Sequence, residues 1–281
     1  MKYPYIFFQI QMEFYKYKNI IIHSVDKIDH ALSAISRGKV TILSGAGVST
    51  NSGIPDYRST TGIFKELASE FPELEHDPTL VFNREYITNN PRFNDSEVYL
   101  SFREKMRSAQ PCPSHVLAVY LHERGLLQAV ITQNIDGLYQ KAGLPESHLV
   151  EFHGNSEKGD VVLYGDSIPS NKIEQAFDHM KQSNVCLVMG TSLQVSPFCA
   201  LPNLLPKDGC RILVDKYVFN ALSNNWNKQH YTTTTRICKQ TVTLRSHFGS
   251  TFSERRKKWK DQYLYSGDVC DFSNNIMLRM E

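Results

Sequence analysis

The stretch from Lys39 to Arg58, KVTILSGAGVSTNSGIPDYR, constrains the fold of this chain more than any other segment. It begins with Val40–Leu43, a short run rich in β-branched residues that is typical of a buried parallel strand. The glycines that follow allow a sharp turn and a close approach to a ligand, and a helix starting there would offer free N–H groups to an anion. Together these features predict the phosphate-binding turn of a dinucleotide fold. Because the spacing is Gly-x-Gly-x5-Gly and not Gly-x-Gly-x-x-Gly, a plain structural turn explains the glycines equally well.

The end of this stretch places a carboxylate, an aromatic ring and a guanidinium on one short loop. Pro55 fixes its own φ angle and keeps Ile54 out of the helical region. Arg58 suits a diphosphate because its guanidinium donates two parallel hydrogen bonds. A surface turn that carries an ion pair between Asp56 and Arg58 is the alternative interpretation.

Composition excludes several classes of protein. With 281 residues, 41% apolar and 21% charged, the chain has the content of an ordinary globular protein of one or two domains. Its net charge of +2 excludes attraction of the whole surface to nucleic acid or membrane. Its six cysteines include no Cys-x2-Cys pair, which argues against a metal site and predicts a reducing compartment. The N-terminus resembles neither a signal nor a transit peptide, and no apolar run reaches the roughly 20 residues that span a bilayer. We therefore expect a cytoplasmic or nuclear protein that is neither secreted nor membrane-bound.

Further strands are predicted along the chain, and polar residues follow three of them. The predicted strands cover 126–132, 161–164, 185–189 and 210–214. The polar residues at their ends are Gln133, Asn134 and Asp136, then Thr191 and Ser192, and finally Asp215. Ligands bind at the carboxyl ends of strands in doubly wound sheets, so these side chains are candidates for ribose, amide and phosphate contacts. For the first group, a polar turn in which Asp136 caps the next helix is the alternative.

His153 is the candidate general base. It lies in the segment Val150–Asn155, beside a glycine, and imidazole titrates near neutral pH. A structural histidine is the alternative, because a single histidine without a recognised partner in the sequence does not establish catalysis.

Read in order, four motifs resemble those of the sirtuin family, the NAD-dependent protein lysine deacylases. They are Gly45-Ala46-Gly47-Val48-Ser49 with Gly53-Ile54-Pro55-Asp56-Tyr57-Arg58, Thr132-Gln133-Asn134-Ile135-Asp136, Glu151-Phe152-His153-Gly154, and Gly190-Thr191-Ser192-Leu193-Gln194-Val195 with Pro197. A shorter match, Gly267-Asp268-Val269, resembles the family's late loop on the adenine. The resemblance extends over about residues 25–215.

The resemblance implies an α/β fold, a Rossmann-like parallel sheet with a small inserted helical lobe and NAD between the two. The expected NAD-binding domain comprises 24–58, 112–215 and 267–281, with the lobe at 59–111. We expect 1–23 to be an N-terminal extension and 216–266 a basic variable insertion. Within this insertion, Arg255–Lys260 could be a nuclear-import or nucleic-acid patch, and a solvated helix face is the commoner explanation of such a run.

The resemblance also implies the site residues. NAD would be bound by Gly45, Ala46, Gly47, Ser49, Asp56, Tyr57, Arg58, Gln133, Ile135, Asp136, Gly190, Thr191, Ser192, Asp215 and Val269. Catalysis would rest on His153, which would take a proton from a ribose hydroxyl, and on Asn134. The substrate peptide would pair with Leu163, Tyr164 and Gly165, a β-augmentation mode of recognition. Asp215 stands where the family usually has Asn, and a carboxylate can still accept from ribose hydroxyls.

The implied activity is NAD-dependent deacetylation of acetyl-lysine proteins, with histones among the candidates. Nicotinamide would be released and the acyl group transferred to ADP-ribose. The lobe has no Tyr-x-x-Arg pair, which favours neutral acyl groups such as acetyl. Two alternatives remain: an NAD glycohydrolase or ADP-ribosyl transferase, and a catalytically weak NAD-binding scaffold.

One departure from the family concerns metal. Sirtuins carry two cysteine pairs that bind structural zinc between the His-Gly motif and the substrate strand. Here that interval is only Asn155–Asp160, and it contains no cysteine. We therefore expect NAD but no zinc, and activity that depends on whether the lobe and the cleft hold without the zinc ribbon.

Overall fold

The computed structural model describes residues 28–56, 62–215, 262–266 and 268–280. In these ranges one parallel sheet of six strands forms the centre of the molecule, in the order β3-β2-β1-β4-β5-β6. The strands are β1 Val40–Ser44, β2 Leu127–Thr132, β3 Leu149–Glu151, β4 Val185–Met189, β5 Cys210–Asp215 and β6 Gln262–Ser266. This order is that of a doubly wound Rossmann sheet. The predicted fold class is confirmed.

Helices cover both faces of the sheet. The α-helices are α1 Ile28–Ile35, α2 Ile63–Glu70, α3 Arg84–Asn89, α4 Glu97–Ser108, α5 Pro113–Glu123, α6 Leu138–Lys141, α7 Ser170–Gln182 and α8 Val269–Met280. Helices α1, α5 and α8 share one buried apolar cluster with the strands, and α7 packs in a second cluster. Every residue of β1 and of β4 is buried, because helices exclude water from both sides of these central strands.

Between β1 and β2 the chain forms a helical lobe with its own core. Helices α2 and α3 are joined by the 3₁₀ helices Pro72–Glu75 and Pro78–Phe82, and α3 and α4 by the 3₁₀ helix Pro91–Asp95. Phe93 is fully buried at the centre, with its ring 5.4 Å from that of Phe71 and 4.8 Å from that of Tyr99. Ile54 and Leu138 belong to the same cluster, so the lobe packs beside the carboxyl edge of the sheet.

The predicted strand at 161–164 is wrong. Only Tyr164 forms a bridge, to Asn83 of the lobe, and residues 161–163 take no regular structure. The backbone groups of Tyr164 bond to the lobe, with its N–H donating to Phe82 O (2.6 Å) and its carbonyl accepting from Arg84 N (2.9 Å). This segment is therefore joined to the lobe through the Tyr164 backbone and does not extend the sheet.

The sequence patterns did not predict strands β3 and β6, and they predicted an α-helix after β1 where a 3₁₀ helix forms. Strand β3 has three residues, which is too short to show a period. Strand β6 lies at the end of the predicted 216–266 insertion, yet it pairs in parallel with β5 at the sheet edge. After β1, Ala46–Ser52 is a 3₁₀ helix and not the start of an α-helix.

Several predictions fall outside the described residues. These are the N-terminal extension 1–23, Tyr57 and Arg58 of the loop after β1, and the basic run Arg255–Lys260. In the described ranges, no helix combines the length and the apolar character needed to cross a membrane.

Candidate active site

Two glycine turns meet at the carboxyl edge of the sheet. The turn after β1 approaches the turn after β4 so closely that Gly47 N donates to Gly190 O (2.9 Å). A Cβ on Gly47 would lie 2.7 Å from Gly190 Cα, and one on Gly45 would lie 2.7 Å from Thr191 Cβ. Packing of one backbone turn against the other thus excludes side chains at these glycines.

Gln133 is held between the two turns. Its N–H donates to Ser44 O at the end of β1 (3.0 Å), and its Oε1 accepts from Thr191 Oγ1 (2.7 Å). The amide of Gln133 is therefore oriented before any ligand arrives, which is the arrangement a pre-organised site requires.

A buried polar network lies beside Gln133. Asn134 Nδ2 donates to Ser49 Oγ (3.0 Å) and to Gly45 O (3.2 Å), and Ser49 Oγ donates to Asp136 Oδ2 (2.7 Å). The other carboxylate oxygen of Asp136 accepts from the backbone N–H of Leu138 (3.0 Å). Because these groups are buried and satisfied by one another, the network fixes the position of each amide and carboxylate.

His115 completes this network from helix α5. Its Nε2 lies 3.4 Å from Ser49 Oγ, and its Nδ1 accepts from Cys112 N (3.2 Å). Burial lowers the pKa of His115 to about 4, against the opposing effects of the Asp136 charge and the Cys112 hydrogen bond. The imidazole is therefore neutral near pH 7. Sequence reasoning missed His115, and a histidine among the apolar residues of the helix start was the available signal.

His153 follows β3 and lies next to Gln133. It is half-buried, and it hydrogen-bonds the backbone of Gln133. Burial lowers the pKa of His153 to about 4, an effect that the Gln133 bond opposes and the Lys172 charge reinforces. A neutral imidazole with one N–H bound to a carbonyl keeps a lone pair on its other nitrogen and can accept a proton.

A compact turn, Asn155–Asp160, follows the His153-Gly154 pair. Asn155 N donates to Asp160 Oδ1 (2.7 Å), Asn155 Nδ2 donates to Glu151 Oε1 (2.6 Å), and Ser156 N donates to Ile135 O (2.9 Å). The residues of this turn do not fit a cysteine-ligated zinc site, since none is a cysteine. Across the ranges that the structure describes, no group of three His, Cys, Asp or Glu is placed to hold a metal ion.

The structure brings most of the predicted site residues to one edge. At the carboxyl ends of β1, β2, β3, β4 and β5 lie, in turn, Gly45–Gly47 with Ser49, Gln133–Asp136, His153, Gly190–Ser192 and Asp215. Asp56 lies half-buried at the last described position before the gap at 57–61.

Two sets of predicted residues are placed differently. Leu163, Tyr164 and Gly165 lie along the helical lobe and not on a sheet strand. Val269 begins α8 with its side chain in the main core, which leaves its backbone as the part available to a ligand.

Comparisons with known proteins agree with this architecture. Residues 45–159 and 157–197 match the Sir2 family. The NAD-dependent protein deacetylase hst2 of Schizosaccharomyces pombe is 33% identical over 71% of this chain and 70% of its own length. The NAD-dependent protein deacetylase of Thermotoga maritima is 28% identical over 67% of this chain and 86% of its own.

A solved Sir2 structure with a deacetylated p53 peptide and 3'-O-acetyl ADP-ribose shares the fold. Its TM-score is 0.62 at 23% identity, over 90% of this chain and 98% of that one. The order of the strands, the shared edge of the motifs and the family match lead to one conclusion: this chain belongs to the Sir2, or sirtuin, family.

Proposed function

We propose that this chain is an NAD-dependent protein lysine deacetylase that releases nicotinamide and transfers the acyl group to ADP-ribose. The observation that carries the proposal is His153, held neutral by burial and bonded to the backbone of Gln133 beside the Asn134–Ser49–Asp136 network. Relatives named NAD-dependent protein deacetylase or deacylase support this activity.

The residues at the carboxyl edge fit NAD, since a glycine turn, hydroxyls, amides and carboxylates meet the chemical needs of a dinucleotide. Bound NAD supplies the ribose carbon that loses nicotinamide. The diphosphate would be faced by Gly45, Ala46, Gly47, Thr191, Ser192 and Arg58. The nicotinamide ribose would be bound by Gln133, Asn134 and Tyr57, and the carboxamide by Ile135 and Asp136. The adenosine would lie against Asp215 and Val269. Ser49 contributes by holding Asn134 and Asp136 (3.0 and 2.7 Å).

His153 would act as the general base. An N–H of the ring bonded to the Gln133 backbone would leave the second ring nitrogen to take the proton of a ribose hydroxyl. Since the same residue, Gln133, would hold the ribose, base and hydroxyl are aligned by one element. Burial of the site strengthens the electrostatic effects on which such a reaction depends.

The segment Leu163–Gly165 would bind the acetyl-lysine protein. It is tied to the base at one side, where Val162 N donates to His153 O (2.9 Å), and to the lobe at the other through Tyr164. An extended peptide could pair with the backbone along this segment. Histones among the substrates, nucleic acid at Arg255–Lys260, and a cytoplasmic or nuclear location stay predictions from the sequence.

We also infer that the cleft is built without zinc. The hydrogen bonds of the Asn155–Asp160 turn and the ion pair between Lys172 and Asp160 (2.8 Å) close the interval that the zinc ribbon occupies in other sirtuins. Activity and unfolding should then be unchanged after dialysis against a chelator. Stoichiometric zinc by elemental analysis, with loss of activity on its removal, would contradict this inference.

The deciding experiment supplies purified protein with NAD and a panel of acyl-lysine peptides, and measures nicotinamide and peptide mass together. We expect nicotinamide release that requires an acetyl-lysine peptide and disappears in His153→Ala. Release from NAD alone, unchanged by peptide, would identify a glycohydrolase. Binding of NAD by calorimetry without turnover of any peptide would identify a scaffold.

A further inference from the structure

Two cysteine sulfurs meet beneath the glycine turn. Cys112 precedes helix α5 and Cys270 is the second residue of α8, 158 positions away, yet their Sγ atoms lie 3.2 Å apart. Both residues are buried, with 5% of each exposed. A disulfide has an S–S length of about 2.05 Å, so an approach of about 1 Å would close the bond. The proposed deacetylase mechanism uses neither thiol.

The two thiols differ in chemical character. The pKa of Cys270 is lowered to about 6, first by its hydrogen bond with Cys112 and then by those with Ser114 and Asn51, although burial opposes the effect. The same bond with Cys270, together with burial, raises the pKa of Cys112. Geometry supports the same assignment, because Cys112 can donate its proton to Val48 O (3.1 Å) and remain a thiol. Cys270 lies in the first turn of α8 with Ser114 Oγ 3.3 Å from its sulfur, a setting that favours a thiolate.

The pair is connected to the turn that would hold NAD. Cys112 Sγ donates to Val48 O in the 3₁₀ helix after β1 (3.1 Å). Asn51 of the same helix donates to Asp268 Oδ1 (2.9 Å), which also accepts from Cys270 N (2.7 Å). Asn51 is exposed and also hydrogen-bonds Cys270, so a single side chain lies between the Cys270 sulfur and solvent on this side.

We propose that Cys112 and Cys270 form an oxidative modification site at which hydrogen peroxide converts the two thiols into an intramolecular disulfide. In the first step the Cys270 thiolate attacks a peroxide oxygen. A sulfur–oxygen bond forms, the oxygen–oxygen bond breaks, and hydroxide leaves and takes a proton to become water. In the second step the Cys112 sulfur attacks the Cys270 sulfenic acid, the sulfur–sulfur bond forms, and hydroxide leaves with the Cys112 proton as a second water. With hydrogen peroxide, two electrons pass from the thiols to the oxidant.

Oxidation would weaken the NAD side of the proposed active site, a consequence that rests on the proposed function. The disulfide removes the S–H that donates to the Val48 carbonyl and draws the start of α8 toward α5. We expect KM for NAD to rise about threefold to tenfold, which is the factor that the loss of one buried hydrogen bond in the supporting turn would give. Reduction of the disulfide would restore the original KM.

The modification itself is tested on the full-length protein without reference to activity. Protein treated with hydrogen peroxide is denatured, alkylated and mapped by mass spectrometry, with and without prior reduction. We expect two alkylatable thiols to be lost, a cross-linked peptide containing Cys112 and Cys270, and full recovery on reduction. Cys199→Ser, a matched change at a half-buried cysteine elsewhere in the fold, should leave the cross-link intact.

Two further variants separate the roles of the sulfurs. Cys112→Ser should accumulate a Cys270 sulfenic acid that a 1,3-dione probe labels, whereas Cys270→Ser should show neither label nor cross-link. Because each variant could unfold, the map of the unaltered protein decides the matter alone. Persistence of both thiols, or cross-links that join other cysteines, overturns the proposal.

The NAD readout distinguishes the failure of this inference from failure of the proposed function. If the cross-link forms and KM for NAD rises, both stand, and if KM is unchanged, the regulatory consequence is wrong. A cross-link in a protein that neither binds nor consumes NAD refutes the proposed function and leaves the modification site valid. Turnover of NAD with no cross-link refutes the modification site and leaves the proposed function valid.

Discussion

At His153, the position of one imidazole decides what the residue can do. The ring lies against Phe152, with centroids 5.7 Å apart, and burial lowers its pKa to about 4. An exposed histidine would be partly protonated near its ordinary value of about 6.5. Burial thus keeps the lone pair available across the whole neutral range.

The pH dependence of kcat/KM follows from this pKa. Because kcat/KM reports the free enzyme, we expect deacetylation to hold nearly constant from pH 8 to 6 and to fall only below about pH 5. His153→Ala should lower kcat by about 10²–10⁴-fold, and the matched change His76→Ala at an exposed residue should leave it unaltered. An acid limb near 6.5 would show that His153 does not titrate as its burial requires. Circular dichroism at each pH separates titration from unfolding.

At Gly154, the backbone conformation and the space around one residue decide which side chain the position tolerates. Its φ is 83°, in the left-handed region, and an added Cβ would collide with the Asp160 carbonyl. Gly159 has a similar φ of 72° but open space around the Cβ position. We expect Gly159→Ala to lower the free energy of unfolding by about 1 kcal/mol through φ strain alone, and Gly154→Ala by about 2–4 kcal/mol. Urea unfolding of the two variants measures the difference, and equal losses would contradict the clash.

At the scale of an element, the Asn155–Asp160 turn shows how side chains can close a loop. Asn155 is 1% exposed and its side chain makes three hydrogen bonds, donating to Glu151 (2.6 Å) and Gln140 (3.2 Å) and accepting from Glu157 N (2.8 Å). These bonds link the turn to β3 and to α6. The turn thereby supports His153 on one side and the proposed peptide segment on the other.

Truncation of Asn155 should loosen this element. We expect Asn155→Ala to lower the free energy of unfolding by about 2–3 kcal/mol, because the buried Asn155 amide makes three hydrogen bonds that the variant loses. KM for an acetylated peptide should rise as well, since Val162 is tied to His153 next to the turn. Asn171→Ala, at an exposed position of α7, should change the free energy by less than about 0.5 kcal/mol. Similar values for both variants would show that the turn is not held as described.

At the scale of the whole molecule, two histidines with lowered pKa values couple stability to pH. His115 and His153 each have a pKa lowered to about 4 in the folded state. The unfolded chain binds protons at these residues from about pH 6.5 downward, whereas the folded chain does not until about pH 4. Their contribution to stability is therefore complete above pH 6.5 and is lost as the pH falls toward 4.

We accordingly expect the free energy of unfolding to decrease from pH 7 to pH 4.5, by on the order of 3 kcal/mol for His115. Urea titrations at several pH values measure the slope, and His115→Gln should reduce it. The carboxylates Asp160 and Asp166, whose pKa values are lowered by hydrogen bonds to Lys172 and Arg84, add their losses only at lower pH. A flat profile between pH 6.5 and 5 would contradict the burial of these imidazoles.

Local patterns predicted much of the fold and of the candidate site. Runs of β-branched residues marked β1, β4 and β5, and an apolar face predicted α7 with its bounds at Ser170 and Gln182. Such signals lie within a few neighbouring residues, and so a single sequence contains them. The order of the motifs predicted that their polar residues meet at one edge of the sheet, because the strands of a parallel sheet all end on the same side.

The sequence by itself thus determined the class of sheet, the order of its motifs and the family. Only the tertiary structure decided which distant groups meet: β6 beside β5, Tyr164 on the lobe, His115 against Ser49, and Cys112 against Cys270. The physical reason is that these contacts join residues far apart in the chain. Packing and the satisfaction of buried polar groups select them, and neither leaves a periodic signal in the residues themselves.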